Sequence, residues 1–84
     1  MIKIGQKQGW FKPEEIILEK NNIKKIGIQI NRIDSTIAIN DKTYQIGNTN
    51  MLQFDNLTEK EIIIINNNDN DIFVIIDYEE RIDE

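Results

Sequence analysis

Residues 36–47 read TIAINDKTYQIG, and the way this stretch folds decides the class of the protein. Ile37 and Ile39 fall on one face of a first short strand, and Tyr44 and Ile46 on one face of a second. Alternation of period two is the mark of a half-buried strand. Between the two lies Asn40-Asp41-Lys42. Asn and Asp tolerate positive φ and bond their own backbone, so they suit a tight turn. The stretch is predicted to be a β-hairpin.

The flanking sequence continues the pattern. Upstream, residues 23–33 (IKKIGIQINRI) place Ile26, Ile28 and Ile30 in alternation with Gly27, Gln29 and Asn31, a second period-two strand. Downstream, residues 51–55 set Leu52 and Phe54 on one face. Residues 61–66 (EIIIIN) and 72–78 (IFVIIDY) are continuous apolar strands that call for cover on both faces. The polar run 66–71 turns the chain between them, and residues 79–84 form an acidic tail expected to fray. Residues 14–20 admit two readings. Pro13-Glu14-Glu15 could open a two-turn helix, or residues 15–19 could form a strand turning at Lys20-Asn21-Asn22; the strand is preferred. Residues 1–13 (MIKIGQKQGWFKP), broken by Gly5, Gly9 and Pro13, read as an extended arm with a short strand at its start. The expectation is therefore an all-β fold: a small antiparallel β-sandwich or partly open barrel of six to eight short strands. Residues 1–13 would be the N-terminal arm and residues 14–84 a single β domain.

Composition agrees. Twenty of the 84 residues are isoleucine and eleven asparagine, against three leucines and one alanine, Ala38. AT-rich codons favour the first two, but the physical consequence stands: β-branched side chains fit a pleated sheet, and a helical bundle would want more Leu and Ala. A domain this short buries only about 60–65% of the surface its unfolded chain exposes. With no cysteine and no histidine it has neither a disulfide nor the usual zinc ligands to staple it, which leaves oligomerisation. Net charge is −5, unevenly spread. Residues 1–33 hold seven basic and three acidic side chains, and residues 34–84 three basic and twelve acidic. An acidic domain is a poor nucleic-acid binder, whereas a basic end of one copy could meet an acidic face of another. The N-terminus has no signal-peptide pattern and no apolar run approaches the length of a bilayer span, so a soluble protein made in the cytoplasm is expected.

The residues that carry chemistry are sparse. Ser35 is the sole serine, and no histidine exists to activate it. The glycines form no phosphate-cradling cluster. Acid pairs occur at Glu59/Glu61, Asp77/Glu79 and Asp83/Glu84, and they read as surface charge that blunts sheet edges. The run from Asn66 to Asp71 offers oxygen ligands, but a calcium loop begun at Asp69 would put Val74 where glycine is required. No catalytic, cofactor or metal site is expected, and the protein is read as a non-enzyme. The candidate site is a protein-binding one: Trp10 and Phe11 with Lys3, Lys7 and Lys12, aromatic anchors on a basic segment. The alternative is that the two aromatics fold back onto their own core.

Three stretches, IKKIGIQI, AINDKTYQIGNTNMLQFDNL and EIIIINNNDNDIFVIIDYE, resemble small β domains of phage and prophage particles of low-GC Gram-positive bacteria. In those domains a GIQ strand leads to an ING or INN hairpin, an IGxTGIYEL-like segment follows, and a last strand ends in DYxY. Ile46-Gly47-Asn48-Thr49 and Asp77-Tyr78-Glu79 match, while Asn50-Met51-Leu52-Gln53-Phe54 departs from the third motif. The resemblance starts at residue 23 and leaves out the arm. It implies a virion structural protein, a capsid decoration or a tail or baseplate accessory, made in the host cytoplasm, and it carries over no catalytic residue. Such a protein would self-associate, a trimer being the form considered, or bind capsid or tail subunits. Nucleic acid, membrane and small-molecule substrate are not expected as partners. The competing readings are a carbohydrate- or cell-surface-binding module and a small acidic inhibitor or regulatory protein.

Overall fold

The computed structural model describes residues 1–82. Eight strands follow one another: β1 (Ile2–Phe11), β2 (Ile16–Asn21), β3 (Ile23–Ile30), β4 (Thr36–Ile39), β5 (Lys42–Gln45), β6 (Met51–Phe54), β7 (Glu61–Asn66) and β8 (Ile72–Arg81). They form two four-stranded sheets, β1-β8-β3-β6 and β2-β7-β4-β5, in which every pairing is antiparallel. No strand is shared between the sheets, so the fold is a sandwich and not a closed barrel.

The hairpin expected over residues 36–47 forms as β4 and β5, with Ile37 opposite Tyr44 and Ile39 opposite Lys42. Its loop is two residues long. Asn40 and Asp41 have φ of 48° and 68°, and positive φ at both central positions is the turn whose twist matches the flanking strands. Residues 14–20 resolve in favour of strand: β2 starts at Ile16 and the chain turns at Asn22, which also takes a positive φ of 60°. A register shift between Ile16 and Leu18 puts Ile17 and Leu18 both in the interior.

Period-two alternation then sorts the side chains. Ile26, Ile28 and Ile30 of β3, Ile37 and Ile39 of β4, Ile62 and Ile64 of β7, and Ile72, Val74 and Ile76 of β8 point between the sheets and are buried. Together with Phe11, Ile17, Leu18, Ile23 and Ile46 they make one continuous core, and isoleucine supplies most of it. Tyr44, Leu52, Phe54, Leu57 and Tyr78 close its edges.

Two segments differ from expectation. The arm expected over residues 1–13 is instead the ten-residue edge strand β1, paired residue for residue with β8 from Ile2↔Arg81 to Phe11↔Ile72. Gly5 and Gly9 do not break it. Gly5 leaves the space that the Tyr78 ring occupies, since a Cβ there would overlap that ring. The acidic stretch from residue 79 likewise begins inside β8, where Glu79 and Glu80 pair with β1 on one side and β3 on the other. Asp83 and Glu84 lie outside the described residues.

Candidate functional site

The five residues singled out for binding do not form one patch. Successive residues of a strand face opposite ways. Phe11 faces inward and is buried, and its carbonyl accepts a hydrogen bond from Asn66 Nδ2 at 3.0 Å. Trp10 faces outward, 64% exposed, with its ring set edge-on against Phe73 at a centroid distance of 5.5 Å. Lys3 and Lys7 share the parity of Phe11. They stay exposed because β1 is the edge strand. Lys7 Nζ lies 5.7 Å from the Phe11 ring centroid, and Lys3 stands opposite Glu80. Lys12 follows the strand end, its backbone N–H donating to Glu15 Oε1 at 2.7 Å while its side chain is exposed. Of the two aromatics, Trp10 alone is exposed, with Lys12 following two residues later, and Phe11 belongs to the core.

The run from Asn66 to Asp71 is a structural plug. Asn66 is fully buried. Its Nδ2 donates to the Phe11 and Asn70 carbonyls, and its Oδ1 accepts from the backbone and side-chain N–H groups of Asn68. Its backbone bonds Glu14 and Glu15. Asn68 in turn donates to the Thr36 carbonyl at 2.7 Å and accepts from the Thr36 N–H at 2.8 Å. The amides thus tie the β1–β2 crossover and the start of β4 to the β7–β8 turn.

The acids are dispersed. Glu59 accepts from the Thr58 N–H and Asp77 accepts from Gln6 Nε2, while Glu61 opens β7. Among the described residues no group of three or more acids, histidines or cysteines converges. No helix of the described residues is long and apolar enough to cross a membrane.

What the sequence reading did not locate is the outer surface of each sheet. β7 and β8 are central strands, yet among the described residues no second layer lies over their outward side chains. On the outer face of the β2-β7-β4-β5 sheet, Ile16, Ile65, Ala38 and Thr43 form one row across four strands, with Ile63 in the next row. A depression of about 320 Å³ lies there, lined by Ala38, Asn40, Asp41, Glu61, Ile63 and Ile65. Ala38, the chain's one alanine, is the small residue that leaves it open. On the outer face of the other sheet, Trp10 pairs with Phe73 and Ile75 lies two residues along, and Gly27 leaves a shallow hollow beside Ile4, Met51 and Gln53. The legible signal for both surfaces was the unbroken apolar run of β7 and of β8.

No model of a known protein family, no curated protein and no solved structure matches the chain. The fold and surface define an all-β sandwich with uncovered apolar stripes on both of its outer faces.

Proposed function

We propose that the protein is a non-enzymatic structural component of a phage-like particle, a capsid decoration or a tail or baseplate accessory, held there by burial of its sheet faces. The observation that carries this reading is the pair of outward apolar stripes, Ile16, Ile63, Ile65 and Ala38 on one sheet and Trp10, Phe73 and Ile75 on the other. A strand hydrophobic on both faces is stable where both faces are packed, and this chain has one layer of strands on each side of its core. Particle proteins repeat in many copies, and their neighbours supply the missing layers.

The aromatic geometry favours this over a carbohydrate module. Sugar-binding sites offer open ring faces. Here Tyr44 and Phe54 are half-buried and engage each other edge-to-face at 5.0 Å, so among the described residues Trp10 is the single exposed aromatic ring and has no second open ring to share a sugar with. Mass spectrometry of density-purified particles from cells that make the chain tests the proposal. Its peptides should recover with the major particle protein at a fixed ratio. Recovery in the particle-free fraction alone would overturn it.

A further inference from the structure

One outer face of the sandwich has a projection where the other has a hollow. Trp10 stands out from the β1-β8-β3-β6 sheet with 64% of its surface exposed, and Lys12 follows it two residues later. On the opposite side of the sandwich, the 320 Å³ depression over Ala38 is walled by Ile63 and Ile65 and has Asp41 and Glu61 at one end. Among the described residues the one ion pair joins Lys25 and Asp55, so Lys12, Asp41 and Glu61 have no ionic partner among those residues. The hollow is wide and apolar enough to take an indole, and aromatic side chains in desolvated pockets are what most often anchor interfaces.

We infer that Trp10 of one copy docks into the Ala38 hollow of the next, with Lys12 facing Asp41 and Glu61. The occupant is a second copy because one chain supplies both halves on opposite faces: an exposed indole followed by Lys12, and an apolar hollow bordered by Asp41 and Glu61. Such a contact is head-to-tail. It leaves a free hollow at one end and a free tryptophan at the other, so copies add until a ring closes or a filament grows. The inference rests on reading the chain as a repeating particle component and names the surface that does the repeating.

Two variants test it, each removing one half. Trp10→Ala deletes the projection and keeps the hollow; Ala38→Phe fills the hollow and keeps the projection. Both changes are on outer faces, and circular dichroism and urea melts establish that each variant is folded. Light scattering behind a sizing column should show wild type above the mass of one chain. Each variant alone should be monomeric, its dissociation constant raised by at least about 30-fold, the scale of a lost interface anchor. An equimolar mixture of the two should form a 1:1 complex and stop there, since the single intact contact cannot propagate. Wild type that stays monomeric overturns the inference, as does association that survives Ala38→Phe. A mixture that stays monomeric also overturns it. Association that survives Ala38→Phe, with Trp10→Ala monomeric, would indicate a two-fold contact of Trp10 on itself. Failure here leaves the particle assay untouched: a chain found in particles that does not self-associate refutes the contact, and one that self-associates but is missing from particles refutes the particle reading.

Discussion

Asparagine does more in this chain than codon bias would require of it. Asn22, Asn40, Asn50 and Asn56 sit at φ between 48° and 60°, the left-handed region where Asn is among the few non-glycine residues commonly found. Asn40 also extends the β4–β7 ladder with its side chain, accepting from the Ile63 N–H at 2.8 Å and donating to the Glu61 carbonyl at 2.9 Å. Asn66 uses both ends of its amide in the interior. Replacing it with alanine strands the Phe11 carbonyl and releases Asn68, and should lower stability by about 2–4 kcal/mol in urea titration. Loss of less than about 0.5 kcal/mol would show that the plug does not hold the crossover. Gly5 is a second such position. Gly5→Ala forces the Tyr78 ring off β1 and should cost about 1–3 kcal/mol, with a change in the Tyr78 ring resonances. The turn role of the asparagines was readable from residue type, but the burial of Asn66 was not. A polar side chain at the end of an apolar strand, entering a run of Asn and Asp, looks the same whether its amide meets water or four partners of its own chain.

At the scale of elements, the strands with clean alternation were the legible ones. Ile26, Ile28 and Ile30, the 36–47 hairpin, and Leu52 with Phe54 all face where period two puts them. β1 was not legible as a ten-residue strand because its inward positions are Lys3, Gly5, Lys7 and Gly9. An edge strand overhanging the core has no need of apolar residues there, and lysines on such an edge deter pairing with other chains. The strand is nevertheless integral. It covers the edge of β8 and contributes Phe11 to the core, so deleting residues 1–11 should abolish cooperative unfolding, not release an intact domain, as read by near-ultraviolet circular dichroism. A sharp urea transition in the truncated chain would restore the idea of a separable arm. β7 permits a paired comparison on one strand. Ile64→Ala empties a fully buried site and should cost about 2–5 kcal/mol, whereas Ile63→Ser faces outward and should cost a small fraction of that while weakening self-association.

For the whole molecule, topology explains what residue patterns could not. Only β4 and β5 are both consecutive and paired; every other ladder joins strands distant in sequence, and β1 with β8 joins the two ends of the chain. Strand order therefore could not be read from local turns, and a fold dominated by such contacts should form slowly, on the order of milliseconds to seconds in stopped-flow refolding. The same topology places β7 and β8 centrally in separate sheets, which leaves one face of each turned outward. Their unbroken apolar sequences were visible from the start, but which residues would be left uncovered depended on the sheet order. In the proposed assembly these faces are covered by other copies of the chain. Sedimentation equilibrium over a wide concentration range tests it most directly. The weight-average mass should climb above that of one chain as concentration rises. A mass fixed at that of a single chain throughout would contradict it.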